Sequence, residues 1–423
     1  MMKIMLVGSG GREHALAWKL AQSPILRELI IAPGSDAMAN IGRCLPVSAE
    51  DVDGLLALAK TEQPDLVVIG PEVALAEGLA DRLAEIGIAA FGPSAAAAQL
   101  EASKTFTKDF CQQHNIPAAR SCNVEAYAEA CAYLDTLPSP YVLKADGLAA
   151  GKGVVITDDL DEAKQAAKEM LAGQFGAASK RLVIEEFLKG EEASLFVLCD
   201  GKTAVPMVGA QDHKRAFDGD KGPNTGGMGC YSPAPILDAA MTTRVMRDII
   251  EPTLHGMIAQ GSPFCGVLYA GLMIDNNGPK LIEYNVRFGD PEAQVLMRRL
   301  QNDLLPALLA CVNGDLDALP ALQWDPRPGA CVVLATKGYP GTTPKGSTLG
   351  GLVKAGQDTD VEIFHAGTKQ APSGEWLANG GRVLNITALG DDLGQAIAKC
   401  YQAIEHINWP EGFCRSDIGW RAL

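Results

Sequence analysis

The sequence predicts an α/β and α+β protein with an N-terminal doubly wound parallel sheet domain, a central domain, and a small C-terminal α+β domain. Three observations support this fold class. Short apolar strands alternate with helical segments at the start, a glycine-rich hairpin and a long apolar strand pair follow, and the pattern changes after a Pro/Gly-rich linker at 324–329. We expect domains at 1–101, 102–324 and 325–423, since 423 residues are enough for several separate cores.

Composition and charge narrow the function classes. The formal net charge of −15 disfavours binding to nucleic acid or to an anionic membrane, because both depend on positive charge. The 11 cysteines are scattered without a C-x-x-C pair, which is typical of a reducing cytoplasm and indicates no zinc ribbon. We predict neither a signal peptide nor a membrane span. We therefore expect a cytoplasmic protein that does not bind nucleic acid or membranes. We further expect small-molecule partners and a monomer or weak homo-oligomer.

The N-terminal segment reads as strands alternating with helices. Apolar strands at 4–7, 29–32 and 65–70 predict a parallel sheet. Ligands bind beyond the carboxyl ends of such strands. We therefore place the glycine turn at 8–12 and the residues 71–72, which include Glu72, on one rim of the sheet.

The glycine turn does not match a dinucleotide-binding fingerprint. Glu13 stands where the third glycine is needed, and Ala32 and Pro33 end the second strand in place of an acid. A helix N-terminus lined by Gly10 and Gly11, with Arg12 beside it, suits a single phosphate. A plain strand-to-helix turn is the alternative. In both cases we expect the turn to run from Gly8 to His14 and a helix to begin at Ala15.

A glycine-rich hairpin opens the central domain. Residues 141–145 and 154–157 predict two antiparallel strands, and the loop between them carries Gly147, Gly151 and Gly153. Such glycines let backbone N–H groups approach phosphates, and Lys144 and Lys152 can neutralise charge during phosphoryl transfer. The loop is not a Walker motif, because Lys152 is followed by Gly153. A hairpin with solvated lysines is the alternative.

Two further segments carry candidate ligands. After a buried strand at 183–184, residues 185–192 offer apolar walls for an adenine ring and carboxylates for a ribose, with Glu185, Phe187 and Glu192 as candidates and a solvated acidic turn as the alternative. The stretch 218–229 predicts a long functional loop. Asp212 could fix an ammonium group and Lys214 or Arg215 an anion, and backbone donors come from Asn224, Thr225, Gly226 and Gly227.

The strand at 280–286 carries the most informative pattern. Alternation with a period of two puts Leu281, Glu283, Asn285 and Arg287 on one face, and Ile282, Tyr284 and Val286 on the packing face. A carboxylate and an amide oxygen are ligands that Mg²⁺ prefers, and a guanidinium can bind a carboxylate or phosphate with two hydrogen bonds. A solvated edge strand is the alternative. We expect this strand to pair with 264–274.

The C-terminal segment predicts a small domain that covers a cleft. Strands are expected at 330–335, 361–364 and 383–388, and a helix at 392–408.

Six motifs together resemble the ATP-grasp ligases, and within them the glycinamide ribonucleotide synthetase family. They are GSGGREHA (8–15), KADGLAAGKG (144–153), QDHKR (211–215), GPNTGGMG (222–229), NVRFGDPE (285–292) and CRSDIGWR (414–421). The resemblance runs through essentially the whole chain. It implies a central ATP-grasp fold with a lid subdomain at about 118–192, and a reaction that joins glycine to 5-phosphoribosylamine through a glycyl phosphate while ATP becomes ADP and phosphate.

The resemblance also implies roles for single residues. Lys104 and Lys144 would hold ATP phosphates, with 147–153 closing over them, and Glu185, Phe187 and Glu192 would hold adenosine. Glu283 and Asn285 would carry Mg²⁺ or Mn²⁺. Asp212 and Arg287 are candidates for glycine's amine and carboxylate. Phosphoribosylamine would be received by Gly10, Gly11, Arg12 and Glu72.

Other function classes remain as alternatives. Another ATP-grasp carboxylate–amine ligase would share the nucleotide residues, a nicotinamide-dependent dehydrogenase is disfavoured by Glu13, and an ATP sensor would bind nucleotide without turnover.

Two details of the sequence depart from the pattern that the resemblance implies. The strand at 267–274 lacks the further metal-binding acid of many ATP-grasp enzymes, because Asp275 lies in the turn beyond it, so the metal count is open. Lys337 stands where a small residue is expected.

Overall fold

The computed structural model describes residues 1–148, 153–173 and 181–423, and its first segment forms the predicted parallel sheet. The strands, in the order β3-β2-β1-β4-β5, are β1 Met2–Gly8, β2 Leu26–Pro33, β3 Arg43–Cys44, β4 Leu66–Ile69 and β5 Ala90–Phe91, and all the pairs are parallel. The helices are α1 Gly11–Leu20, α2 Val52–Glu62, α3 Glu72–Ala76, α4 Leu79–Glu85 and α5 Ala95–Ala102. Along β1, Ile4 and Leu6 pack into one core and Met5 and Val7 into another, so helices cover both faces of the sheet.

Helix α1 begins earlier than the sequence predicts. We expected a glycine turn through residue 14, but the helix starts at Gly11 with Gly10 as its N-cap. The backbone N–H of Gly10 donates to Glu13 Oε2 at 2.8 Å, so the carboxylate at the third helical position satisfies the helix start. Arg12 therefore lies in the first turn of α1.

The lid subdomain contains the predicted hairpin. It follows α6 Lys104–Gln113, and its elements are β6 Ser121–Val124, α7 Tyr127–Leu134, β7 Tyr141–Ala145, β8 Val154–Thr157, α8 Leu160–Leu171 and β9 Leu182–Glu186. Strands β7 and β8 pair antiparallel within the sheet β6-β9-β7-β8, as predicted. Helices α5 and α6 meet at Ser103, where Ser103 Oγ accepts from Phe106 N at 3.1 Å and caps α6.

The rest of the central domain is built on an antiparallel sheet ordered β11-β10-β16-β17. The strands are β10 Glu191–Asp200, β11 Ala204–Pro206, β12 Gln211–Asp212, β13 Arg215–Phe217, β14 Lys221–Asn224, β15 Gly229–Ser232, β16 Cys265–Asp275 and β17 Gly278–Asn285. The helices are α9 Ala239–Val245, α10 Glu251–Ala259, α11 Glu292–Arg299 and α12 Leu304–Asn313. The predicted long loop at 218–229 thus includes β14, which pairs with β13 in a short hairpin.

A β-bulge corrects the predicted faces of β17. The pairing of β17 with β16 runs Leu281↔Leu272 and then Glu283↔Gly271, so Ile282 is an extra residue on β17. The extra residue reverses the alternation. Leu281 is therefore buried in the core, whereas Ile282 lines the same cavity as Glu283. The prediction that Leu281 shares the face of Glu283 is wrong.

The C-terminal segment is hydrogen-bonded into the central domain. Its elements are β18 Gly329–Thr336, β19 Thr348–Leu349, α13 Leu352–Ala355, β20 Val361–His365, β21 Thr368–Gln370, β22 Trp376–Ala378, β23 Arg382–Leu389, α14 Leu393–Glu405 and β24 Gly412–Phe413. The sheet β12-β15-β18-β23-β20, with β24 on β18, joins strands from both sides of residue 324. This continuity brings the β18 and β23 ends to the central domain.

All 11 cysteines lie in the described residues, and all are free thiols. Within the same parts of the chain, no helix has the length and apolar character needed to cross a membrane.

Candidate functional site

One cavity of about 390 Å³ is lined by residues from the N-terminal, central and C-terminal segments. Of the sequence-predicted residues, those lining it are Arg12, Glu72, Lys104, Lys144, Gly147, Gly153, Glu185, Asp212, Lys214, Thr225, Gly226, Glu283, Asn285 and Arg287. The predicted residues outside its lining are Gly10, Gly11, Phe187, Glu192, Asn224 and Gly227. Gly151 and Lys152 lie outside the described residues.

Three lysines face one another at the lid side of the cavity. Lys104 Nζ donates to Gly147 O at 2.9 Å. Glu185 lies between the other two, with its Oε1 3.1 Å from Lys108 Nζ and its Oε2 3.1 Å from Lys144 Nζ. Burial would raise the pKa of Glu185, but the two ammonium groups lower it on balance. Sequence analysis missed Lys108, although it follows Lys104 by one helical turn on α6.

The pair Glu283 and Asn285 lies on one face of β17 and reaches the cavity beyond the bulge. Among the described residues, neither side chain has a hydrogen-bond or ion-pair partner in the protein, and no cluster of three or more His, Cys, Asp or Glu residues is arranged to hold a metal. One carboxylate and one amide oxygen, both facing open space, are a donor set that fits a hard divalent cation which also binds substrate phosphates.

Arg287 is held between two carboxylates. Its Nη2 is 2.9 Å from Glu101 Oε1, and its Nε is 3.3 Å from Glu72 Oε2. Burial would raise the pKa of Glu72, but Arg287 and Arg12 lower it to about 2, so Glu72 is ionised. Burial raises the pKa of Glu101 against the opposing effect of Arg287. No sequence pattern indicated a role for Glu101, which lies at the end of α5.

Two carboxylates lie close to the ammonium group of Lys214. Its Nζ is 2.9 Å from Glu192 Oε2 and 3.8 Å from Asp212 Oδ1. Burial would lower the pKa of Lys214, but Asp212 and Glu192 raise it well above the usual value. Burial also raises the pKa of Asp212.

Glu292, a buried neighbour of this group, was not predicted. Its Oε1 accepts from Tyr269 Oη at 3.0 Å, and burial together with the charge of Asp212 raises its pKa to about 7. The carboxylate lines the cavity at the start of α11. Glu292 is the last residue of the GDPE stretch at 289–292, and this motif was the sequence signal that could have identified it.

The glycines near α1 differ in their surroundings. A Cβ on Gly11 would overlap with Asn385 Nδ2, so the contact between α1 and β23 requires glycine at position 11. A Cβ on Gly10 would lie 3.0 Å from Glu13 Oε2. Gly10 therefore stays close to the carboxylate that caps the helix.

Two C-terminal residues that sequence analysis missed also line the cavity. Tyr339 Oη accepts from the backbone N–H of Gly226 at 3.1 Å. Arg382 Nη1 donates to Gly226 O at 2.7 Å and to Asp290 O at 2.6 Å, and its Nη2 is 3.2 Å from Asp290 Oδ2. Gly227 has φ +115° and a Cβ there would lie 2.6 Å from Pro291 Cδ. The C-terminal segment thus orders the loop around Gly226.

Three family models together match most of the chain. They are described as the N domain, the ATP-grasp (A) domain and the C domain of phosphoribosylglycinamide synthetase, and they match residues 2–101, 102–293 and 329–421.

Relatives and solved structures are similar over the full length. A phosphoribosylamine–glycine ligase from Caulobacter vibrioides is 55% identical over 422 residues, covering 100% of this chain and 99% of that protein. The crystal structure of a phosphoribosylamine–glycine ligase from Thermotoga maritima is 31% identical with a TM-score of 0.86, covering 99% and 100% of the two chains. A biotin carboxylase β-γ-ATP complex from Campylobacter jejuni, 15% identical with a TM-score of 0.74 over 97% and 93%, shares the fold.

Proposed function

This chain belongs to the phosphoribosylglycinamide synthetase family and is an ATP-dependent ligase of purine biosynthesis that joins phosphoribosylamine to glycine; on that premise, we propose how its residues divide the work. ATP and a divalent metal are used across the ATP-grasp ligases. The assignment of each substrate to particular residues is our proposal. The observation that carries it is that one cavity brings lysines, a carboxylate–amide pair and the Arg12–Glu72 rim together.

ATP binds at the lid side of the cavity. Lys104 and Lys144 neutralise its phosphates. The hairpin loop, which carries Gly147, Gly151, Lys152 and Gly153, closes over these phosphates. Glu185, Phe187 and Glu192 contact adenosine. Glu283 and Asn285 would hold Mg²⁺ or Mn²⁺, which would supply positive charge to offset that of the ATP phosphates. The support for this placement is that both side chains face the cavity without a protein partner among the described residues.

Glycine binds between Arg287 and Asp212. The guanidinium of Arg287 receives the carboxylate, and its orientation is fixed in advance by Glu72 and Glu101. Asp212 receives the ammonium group, and Lys214 is the nearby cation that attracts the acyl phosphate. One glycine carboxylate oxygen attacks the γ-phosphorus, the bond to the β–γ bridging oxygen breaks, and ADP leaves.

Phosphoribosylamine binds on the rim formed by Gly10, Gly11, Arg12 and Glu72, with backbone groups of Asn224, Thr225, Gly226 and Gly227 opposite. Its amine attacks the carbonyl carbon of glycyl phosphate, and the bond between this carbon and the oxygen that bridges to phosphorus breaks. Phosphate leaves with one oxygen from glycine, and the amine nitrogen loses a proton to water. Positioning and charge stabilisation supply most of the catalysis.

We also infer the setting in which the enzyme acts. We infer a monomer or weak homo-oligomer, in which the cavity of each chain acts by itself. The free cysteines support a cytoplasmic location, and the acidic net charge supports small-molecule partners without nucleic acid.

The test measures ADP release with each candidate acid and amine, singly and together. We expect release to require both glycine and phosphoribosylamine. Release with a different acid–amine pair would favour another ATP-grasp carboxylate–amine ligase, and nucleotide binding without release under any pair would favour a sensor.

A second measurement tests the intermediate. Glycine labelled with ¹⁸O in its carboxylate should transfer one labelled oxygen to the released phosphate, detected by mass spectrometry. Phosphate without label would rule out glycyl phosphate, while ligation itself would stand.

A further inference from the structure

The C-terminal motif at 414–421 lies against the loop that follows Asp212. Arg415 is only 1% exposed, and its guanidinium donates to both Asp417 oxygens at 2.7 and 2.9 Å. Its Nη1 also donates to Asp220 Oδ1 at 2.9 Å and to Arg215 O at 3.1 Å. A buried arginine with this many partners fixes the relative position of the segments that supply them.

The motif also binds the next residues of the loop. Arg421 pairs with the second oxygen of Asp220. The backbone N–H of Gly219 donates to Asp417 Oδ2 at 2.8 Å, and the N–H of Ser416 donates to Asp218 Oδ1 at 2.8 Å. Each of residues 218, 219 and 220 therefore has a hydrogen bond to the C-terminal motif.

His213 links this contact to the cavity. It is 1% exposed, and its Nε2 accepts the backbone N–H of Gly419 at 2.9 Å. Gly419 has φ +84°, and a Cβ there would lie 2.3 Å from Ile397 Cδ1, so the turn that presents this N–H needs glycine. His213 stands between Asp212 and Lys214, whose side chains line the cavity.

We propose that residues 415–421 are a positioning element for Asp212 and Lys214, which acts through His213 and the loop that ends at Asp220. The inference rests on the proposed glycine-binding role of Asp212 and Lys214. Fixing His213 from one side and residues 218–220 from the other sets the backbone direction at the two cavity residues. A displacement of about 1 Å in such residues can cost on the order of 100-fold in rate.

The experiment compares Arg421→Met with Arg421→Lys and with the matched control Arg43→Met. Arg43 is likewise an arginine that pairs with carboxylates, in its case Glu28 and Glu62, but it lies in the N-terminal sheet domain. In Arg421→Met we expect kcat/KM for glycine to fall by roughly 10- to 100-fold with the KM for ATP changed by less than about twofold. Arg421→Lys should recover part of the loss, and Arg43→Met should keep the wild-type value.

The outcomes separate this inference from the proposed function. If Arg421→Met and Arg43→Met have the same kcat/KM for glycine, the positioning role is overturned. It is also overturned if Arg421→Met impairs the use of ATP as much as the use of glycine. Wild-type use of glycine by Asp212→Asn defeats the proposed glycine site instead. If Arg421→Met fails to fold, Asp220→Asn replaces it, since asparagine accepts the positive φ of +55° at this position. In ¹⁵N-histidine-labelled protein, either variant should shift the His213 Nε2 signal; an unchanged signal contradicts the linkage.

Discussion

Glu101 fixes Arg287 at the end of the strand that faces the cavity. One carboxylate oxygen is 2.9 Å from Arg287 Nη2, and the other accepts the backbone N–H of Val286 at 2.7 Å. The last turn of α5 therefore determines where the guanidinium stands, although the two residues are far apart in sequence.

Removing this carboxylate should destabilise the protein. In Glu101→Ala, Arg287 keeps Glu72 but loses its closer partner in a buried setting, so we expect the free energy of unfolding to fall by roughly 3 kcal/mol. Glu101→Gln, which can still accept a hydrogen bond, should lose less. Urea denaturation measures both, with the exposed Glu85→Ala as control; a fall of the same size in Glu85→Ala would contradict the prediction.

Replacing Arg287 with lysine should impair the use of glycine more than the binding of ATP. Lysine keeps the charge but cannot make two parallel hydrogen bonds to a carboxylate. We expect the KM for glycine to rise by about tenfold or more, a loss of roughly 1.4 kcal/mol, at a nearly constant KM for ATP. Unchanged KM and kcat for glycine would argue against this role.

Removing Glu283 should abolish ligation while the fold persists. The variant Glu283→Ala takes away the only carboxylate of the proposed metal pair on β17, so Mn²⁺ binding in the presence of ATP, followed by electron paramagnetic resonance, should weaken strongly. The matched control is Asp275→Ala at the last residue of β16, where Asp275 accepts backbone N–H groups of Asn277 and Gly278. Full ligation by Glu283→Ala would defeat the metal assignment.

Acid should destabilise the contact between α1 and β20. His14 Nδ1 accepts the backbone N–H of His365 at 2.9 Å, and burial lowers the pKa of His14 to about 4 and that of His365 to about 3. Because the unfolded chain binds these protons near pH 6.5, stability is full above that pH and falls as pH decreases toward 4.

The size of this effect can be measured by unfolding between pH 7 and pH 4. The shift of His14 corresponds to roughly 3 kcal/mol over this range. His14→Gln should reduce the slope of stability against pH, whereas His255→Gln, at an exposed helical position, should leave it unchanged. Equal slopes in the wild type and His14→Gln would refute the explanation.

Lys337→Ser should be nearly neutral. The structure gives this lysine a local partner, since its Nζ donates to Pro410 O at 2.6 Å on the surface. Exposed contacts of this kind usually change stability by no more than about 0.5 kcal/mol. We expect wild-type kinetics and a Tm close to that of the wild type; a clear loss of ligation would assign Lys337 a role at the site.

The sequence by itself determined the fold class, most element positions and the chemical pattern of Glu283 and Asn285 on one strand with Arg287 just beyond its end. These features follow from local rules: apolar periodicity, glycine turns and the two-residue repeat of a strand. The same rules located the hairpin at 141–157 and the last strands of the C-terminal segment.

Only the tertiary structure decided which other residues share the cavity and which face Ile282 takes. The bulge at Ile282 depends on how β17 pairs with β16, and Glu101, Tyr339 and Arg382 reach the site from distant parts of the chain. Such contacts have no local period, because they arise from the packing of separate segments and from the need of buried charged groups for partners.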